Sequence, residues 1–263
     1  MRSSTGTHIS RRQAGWPAGL ASSCPQQGVP ARAAPCFARA YVTQPNARTW
    51  PKTNGIAVDL QDIKSPVVNI VHVKRQSQLQ NSDLSELVQK VSSFRSNVRC
   101  THASSAEAEQ LLNFLPKGPV SEVLSADIQN LLHQFLEVSG FEAIDASLSV
   151  ITSTSCPRFH ADHVELRCLC TYSGEGTYFV PNAAVDRRRW MRALGIHNTN
   201  GFGVKSERDI HQAGEWDIVV LKGNAFPGNE GYGAVHKSPS ASEESPRLLL
   251  TLDKALPHSC PDC

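Results

Sequence analysis

His160 and Asp162 are separated by one residue at the start of a predicted strand. Since successive side chains of a strand alternate between faces, the two point the same way, with Cα atoms about 6 to 7 Å apart. An imidazole and a carboxylate so placed can bind one metal ion, and the third ligand has to come from a distant strand. His236, 74 residues after Asp162, is the best candidate. Two histidines and one carboxylate leave coordination positions open for substrate, the arrangement found in non-haem Fe(II) oxygenases.

The rest of the pattern strengthens this interpretation, because one His-x-Asp pair in a chain with ten histidines can also arise by chance. Arg247 follows His236 by 11 residues and opens a final apolar strand. A guanidinium there can hold a dicarboxylate through a bidentate pair. The alternative is that Arg247 pairs with an acidic side chain of the protein itself.

Three helices are predicted before the strands, over residues 82–94, 106–114 and 125–138. The first carries an apolar stripe at three- and four-residue spacing, the second ends at Pro116 and Gly118, and Gly140 stops the third. The residues of the first stripe are Leu84, Leu87, Val88, Val91 and Phe94. His133 of the third helix is expected to be an ordinary surface histidine.

Beyond Gly140 short apolar segments punctuated by Gly and Pro indicate strands at residues 146–150, 164–172, 177–180, 217–222 and 247–253. We therefore predict an α+β fold. Its double-stranded β-helix core, of the jelly-roll or cupin-like kind, covers residues 146–255, a helical support region covers 60–145, and 256–263 form a tail. The run Arg187 to Arg189 is expected to be a solvated face, with a specific anion site as the alternative.

Residues 1–50 contain no Asp or Glu and are rich in Arg, Ser, Ala, Pro and Gly, the composition of an organellar transit peptide. Arg39-Ala40-Tyr41 resembles a mitochondrial processing site, so we expect a mitochondrial protein, with a plastid or the cytoplasm as alternatives. A disordered or incorrectly assigned N-terminus would have the same composition.

Composition excludes several classes of protein. No apolar run approaches the roughly 18 residues that cross a bilayer, and the chain without its basic leader is slightly acidic, which argues against nucleic acid as a partner. Eight cysteines in 263 residues are too few for a secreted disulfide scaffold. Cys168 and Cys170 are expected to be small core residues. His258, Cys260 and Cys263 could bind zinc or form a labile disulfide.

The chain resembles two groups of proteins. His160-Ala161-Asp162, the strand that follows, Trp216 to Gly223, His236 and Arg247 occur in the order seen in prolyl-hydroxylase-like oxygenases. The narrower resemblance, over about residues 60–255, is to domain-of-unknown-function family 1826. It rests on Cys156-Pro157-Arg158-Phe159-His160-Ala161-Asp162, Leu169-Cys170-Thr171-Tyr172, Leu221-Lys222-Gly223-Asn224-Ala225-Phe226-Pro227-Gly228, Val235-His236-Lys237-Ser238-Pro239 and Arg247-Leu248-Leu249-Leu250-Thr251-Leu252-Asp253.

The oxygenase resemblance implies that His160, Asp162 and His236 bind Fe(II) and that Arg247 binds the distal carboxylate of 2-oxoglutarate. Many such enzymes place Ser or Thr two residues after the Arg, where this chain has Leu249, and Tyr172 is our candidate for the missing hydroxyl. The expected function is thus an Fe(II)/2-oxoglutarate-dependent oxygenase of unknown substrate. The alternatives are a non-catalytic zinc- or iron-binding cupin-like protein of metal homeostasis and a metal-free scaffold for protein contacts.

Overall fold

The computed structural model describes residues 56–193 and 203–256, which fall within a compact unit of residues Ala47–Cys263. The predicted leader and the His258, Cys260 and Cys263 group lie outside the described residues. The helices are α1 (Asn81–Gln89), α2 (Ser105–Leu111), α3 (Pro119–Ser139) and α4 (Arg187–Ala193). The strands are β1 (Ile70–Val73), β2 (Phe94–Cys100), β3 (Ile144–Ile151), β4 (Leu166–Ser173), β5 (Tyr178–Val180), β6 (His211–Gln212), β7 (Ile218–Lys222), β8 (Val235–Lys237) and β9 (Arg247–Lys254).

Two antiparallel sheets form the core. The larger sheet has the strand order β1-β7-β4-β9-β3-β2, and the smaller has the order β6-β5-β8. The segment at His160 extends the smaller sheet through a bridge to His236 of β8. From β3 onward the chain passes repeatedly between the larger and the smaller sheet. This alternation and these strand neighbours are those of a double-stranded β-helix, as the spacing of the predicted strands indicated.

The larger sheet is covered on its two faces by different layers. Alternate side chains of β3, β4, β7 and β9 pack on one face against the helices, in a cluster that includes Leu124, Ile128 and Leu131 of α3. On the other face Leu169, Val219 and Leu221 pack against Phe179 of the smaller sheet. The central strands are therefore buried on both sides, which explains their nearly continuous apolar sequence.

Capping residues mark the start of α2 and both ends of α3, although α2 ends at Leu111, before Pro116, and α3 begins at Pro119, earlier than predicted. Ser104 and Glu107 form a reciprocal capping box at the start of α2. Pro119 opens α3, and Gly140 closes it in the left-handed conformation, at φ 68°. Among the described residues, no helix has the length and hydropathy needed to span a membrane.

The region predicted as helical support also supplies two strands. Phe94 was assigned to the first helix, but α1 ends at Gln89 and Phe94 begins β2. β1 and β2 form the two edges of the larger sheet. The basic run is also partly different from the prediction: Arg188 and Arg189 are exposed, but Arg187 is buried, and its guanidinium donates to the carbonyl oxygens of Tyr232 and Gly233.

Candidate metal centre

The fold brings together the three side chains that the sequence predicted as ligands. His160 and His236 lie opposite each other and exchange two backbone hydrogen bonds of 2.9 Å. Asp162 follows in the turn that leads to β4. The Nε2 atom of His160 is 3.3 Å from Oδ1 of Asp162, and the Nε2 atom of His236 is 3.3 Å from Oδ2. Potential ligand atoms from the three residues lie within 4.8 Å of one another.

These separations fit a metal ion. Ligand atoms about 2.1 Å from an ion and at right angles to one another are about 3 Å apart. The site is only partly enclosed, because the His236 side chain is 6% exposed while that of His160 is 32% exposed. An ion held by the three side chains would therefore keep coordination positions accessible on the His160 side.

The second nitrogen of each imidazole identifies the tautomer. Nδ1 of His160 lies 2.9 Å from the carbonyl oxygen of Arg158, and Nδ1 of His236 lies 3.0 Å from that of Ala234. Because a carbonyl oxygen can only accept, both Nδ1 atoms carry a proton. In a neutral imidazole Nε2 then carries no proton, and its lone pair faces the carboxylate. Two such lone pairs at 3.3 Å from carboxylate oxygens repel them unless a proton or a metal cation lies between.

Neighbouring charges keep the ligand carboxylate ionised. Arg167 donates from Nη1 to Asp162 at 2.5 Å and forms a bidentate pair with Asp253 at 2.8 and 2.7 Å. Burial favours the neutral carboxyl, but the hydrogen bonds that both histidines donate when they are protonated at Nε2, together with the charge of Arg167, hold the pKa of Asp162 far below its usual range. Burial also opposes ionisation of His160, yet its bonds to Asp162 and to the Arg158 carbonyl raise its pKa. The lowered pKa of Asp162 and the raised pKa of His160 both indicate an electrostatic environment that favours positive charge at this site.

A tight turn after β7 supports the loop that carries Asp162. The backbone N–H of Asn224 donates to the Asp162 carbonyl at 2.8 Å, and the Asn224 side chain accepts from Gly233. Gly223 is required here, because a Cβ at this position would lie 2.1 Å from the carbonyl oxygen of Val164 and 2.9 Å from that of Asp162. Asn224 thus orients a ligand loop, whereas the Lys222 side chain points away to the carbonyl of Ser65.

Arg247 is buried in the first position of β9, on the face opposite the helices, with an exposed fraction of 1%. Its Nε donates to the Glu175 carbonyl at 2.6 Å, and its Nη2 lies 3.3 Å from the Thr171 hydroxyl. In the described part of the chain Arg247 makes no ion pair with a carboxylate. Burial lowers its pKa to about 10 despite the nearby charge of Glu175. A buried guanidinium without a counter-ion favours the binding of an anionic ligand.

Tyr172 does not supply the hydroxyl expected beside Arg247. Its ring lies on the helix face of β4 against Trp216, and its hydroxyl donates to Asp127 at 2.8 Å. Thr171, one residue earlier, points to the other face and takes that place. The strand alternation of the sequence could have indicated the orientation of Tyr172. Cys168 and Cys170, which are in the core as predicted, lie on the same face of β4 as Tyr172.

Other candidate residues lie apart from the three ligands. His133 is exposed, as expected, and His163 and Cys156 are exposed as well. Arg167 was not singled out from the sequence, although its contact with Asp162 makes it part of the site.

Comparison with known proteins identifies the family. The family model described as "Protein of unknown function (DUF1826)" matches residues 56–253, and the chain belongs to this family. No curated protein sequence matches the chain.

Among solved structures, a rice dioxygenase for auxin oxidation is 12% identical, with 72% of this chain and 74% of that chain covered and a TM-score of 0.42. The Arabidopsis thaliana dioxygenase for auxin oxidation 1, in a complex with 2-oxoglutarate, is 10% identical, with coverages of 73% and 85% and a TM-score of 0.39. Neurospora crassa T7H in complex with alpha-KG is also 10% identical, with coverages of 73% and 75% and a TM-score of 0.39.

Proposed function

We propose that this DUF1826 protein is a non-haem Fe(II)/2-oxoglutarate-dependent oxygenase. One observation supports this most directly: the Nε2 atoms of His160 and His236 converge on the Asp162 carboxylate, each 3.3 Å from one of its oxygens, while backbone carbonyls hold both Nδ1 atoms on the far side. Two histidines and one carboxylate with open positions are the ligand set of non-haem Fe(II) oxygenases, whereas structural zinc sites are usually closed by four protein ligands.

With iron and 2-oxoglutarate bound, the site would supply oxidative chemistry in which O2 converts a substrate C–H bond to C–OH while 2-oxoglutarate becomes succinate and CO2. The protein's contribution is to hold the reactants. The Arg158 and Ala234 carbonyls fix both imidazole rings, and Arg167 keeps Asp162 ionised and oriented.

Arg247 is our candidate for binding the distal carboxylate of 2-oxoglutarate. Its guanidinium is buried and lacks an acidic partner among the described side chains, so an incoming carboxylate would neutralise a charge that is costly to bury. Thr171, within 3.3 Å of Nη2, offers the hydroxyl that Leu249 cannot provide. Arg247 and Thr171 therefore form a proposed carboxylate site separate from the metal ligands.

The test is anaerobic titration of Fe(II) and then 2-oxoglutarate into the full-length protein, followed by exposure to O2 with ascorbate. We expect a visible charge-transfer absorption before O2 is admitted and slow release of succinate afterwards. His236→Ala should lose both, while His163→Ala, which changes an exposed histidine beside the site, should keep both.

Arg247→Met should retain Fe(II) but bind 2-oxoglutarate poorly, and Arg247→Lys should recover part of the affinity. Fe(II) binding without any binding of 2-oxoglutarate would refute the oxygenase assignment. Zinc that survives purification, with no consumption of O2 after exchange to iron, would support the alternative of a non-catalytic metal-binding protein.

A further inference from the structure

The larger sheet has a polar region on the face that lies opposite the helices. The region consists of Arg95 and Asn97 of β2, Ser147 and Ser149 of β3, and Thr251 of β9, and we call it the polar patch. Directly paired residues share a face, and the register pairs Arg95 with Ser149, Asn97 with Ser147, and Ser147 with Thr251. The inner face of a two-sheet core is normally apolar. This region is therefore not built as core.

The same face changes character between neighbouring strands. Under the smaller sheet it carries Leu169, Val219 and Leu221, which are buried against Phe179. Across β3 and β2 this face carries mainly polar side chains: Arg95 and Asn97 are exposed, Ser147 and Thr251 are half-buried, and Ser149 is 5% exposed. Half-buried hydroxyl groups in a row are suited to hydrogen bonding with a bound molecule.

The polar patch continues into the metal centre. The adjacent row of the sheet pairs Arg99 with Asp145, Asp145 with Asp253, and Asp253 with Arg167. Arg167 then contacts the metal ligand Asp162. The patch and the metal ligands thus border the same side of the larger sheet, joined by a ladder of charged side chains.

Charge compensation along this face is uneven. Arg99 pairs with Asp145 at 3.1 Å, and Arg167 pairs with Asp253 and Asp162. Arg95 has no ion pair within the described part of the chain; its Nε donates to the hydroxyl of Ser149 at 3.2 Å. Its guanidinium is held over the serines and keeps donors available for an anion.

We propose that the polar patch binds the substrate of the metal centre, and that this substrate is an elongated polar molecule with an anionic group held by Arg95. The inference rests on the proposed function for the reaction at the other end. Strands about 4.8 Å apart and residues about 6.8 Å apart at i and i+2 place Arg95 some 20 Å from Arg167 at Cα. The bound molecule would therefore span on the order of 20 Å along the sheet.

The first experiment measures anion binding to the apo protein, with inorganic phosphate and with acetate as probes, by amide chemical shifts in NMR titrations. Saturable shifts should localise to β2 and β3, and the tighter probe distinguishes a phosphate from a carboxylate group. Arg95→Ala should weaken binding about tenfold, as expected for one charge-assisted hydrogen bond. Arg188→Ala, which removes an exposed arginine of α4, should have no effect. Absence of saturable shifts in β2 and β3, or equal affinity in the Arg95 variant, would overturn the proposal, whereas additional shifts around Arg247 and Thr171 would report the proposed carboxylate site.

The second experiment tests whether the patch adjoins the metal. Mn²⁺ at the centre should accelerate relaxation of the bound probe's ³¹P or ¹³C nucleus. His236→Ala should abolish this acceleration and leave probe affinity unchanged. Probe binding without any acceleration by bound Mn²⁺ would refute the connection to the site. If Mn²⁺ fails to bind the wild type, the metal centre itself is wrong, and the titration above still decides whether the patch binds anions.

Discussion

Asp127 of α3 should be among the most stabilising polar residues of the protein. Its carboxylate accepts two bonds from Arg75, at 2.8 and 3.1 Å, and one from the Tyr172 hydroxyl at 2.8 Å. The Asp127 side chain is 2% exposed and that of Arg75 20%. A second Asp–Arg pair, Asp145 with Arg99, has a similar contact of 3.1 Å but exposed fractions of 46% and 32%. The two pairs have the same residue types but differ in burial and in the number of hydrogen bonds that the carboxylate accepts, three for Asp127 and one for Asp145.

Removing one partner of a buried pair costs about 3 to 5 kcal/mol, because the remaining charge stays buried without a counter-ion. Since Arg75 is partly exposed, we expect Asp127→Ala to lower the free energy of unfolding by about 3 kcal/mol. Asp145→Ala should cost about 0.2 to 1 kcal/mol, as for exposed pairs. For a folded region of this size the corresponding falls in Tm are about 6 to 12 °C and at most about 4 °C.

Urea unfolding followed by circular dichroism gives both free energies under one set of conditions. A third variant, Asp127→Leu with Arg75→Met and Tyr172→Phe, removes all three polar partners and should recover most of the lost stability. If Asp127→Ala costs no more than Asp145→Ala, burial does not set the strength of these pairs and the reasoning is refuted. No recovery in the triple variant would instead point to side-chain shape.

Three further predictions concern the surroundings of the metal centre. Burial lowers the pKa of Lys222 from 10.5 to about 8. Between pH 8 and pH 10.5 the unfolded chain therefore binds more protons than the folded protein. The free energy of unfolding should rise over this pH range by up to about 3 kcal/mol relative to Lys222→Met. A pH-independent difference in urea titrations would contradict this. Gly223→Ala should weaken Mn²⁺ binding, measured by calorimetry, at least about tenfold. Gly118→Ala is the control, because there is open space around the new methyl group. Equal Mn²⁺ affinities of the two variants would disprove the need for glycine at position 223. Thr171→Val should raise the Kd for 2-oxoglutarate about tenfold without changing metal affinity, and an unchanged Kd would remove the hydroxyl from the proposed carboxylate site beside Arg247.

The sequence predicted the core strands, and the three side chains that it proposed as metal ligands lie close together in the structure. β4 and β7 are largely buried on both faces, and β9 is buried on its helix face and mostly half-buried on the other, so their apolar runs are distinct from the helical patterns. His160 and Asp162 are two residues apart, and the pairing of the His160 segment with β8 brings His236 to them. Once a double-stranded β-helix is expected, those positions follow from the order of the strands.

The errors have identifiable physical causes. Phe94 continues the spacing of the apolar stripe in α1. The helix nevertheless ends at Gln89, and after a short connecting segment Phe94 is the first residue of the edge strand β2. In β4 both faces are largely buried, so burial alone does not show whether Thr171 or Tyr172 lies beside Arg247. Arg167 was overlooked because its partners, Asp162 and Asp253, are brought to it only by the turn and by pairing across the sheet.

The smaller sheet consists of strands only two or three residues long, and two of the proposed metal ligands belong to its outer pair of chain segments. Few hydrogen bonds hold such short strands, so in the apo protein this layer should be the first to open locally. A bound ion would link residues 160, 162 and 236 and thereby stabilise the smaller sheet for as long as the ion stays bound. Metal supply would then govern how long the protein survives proteases as well as whether it reacts. Slower amide exchange in β5 and β8 after metal loading, with β3 and β9 unaffected, is the signature to expect.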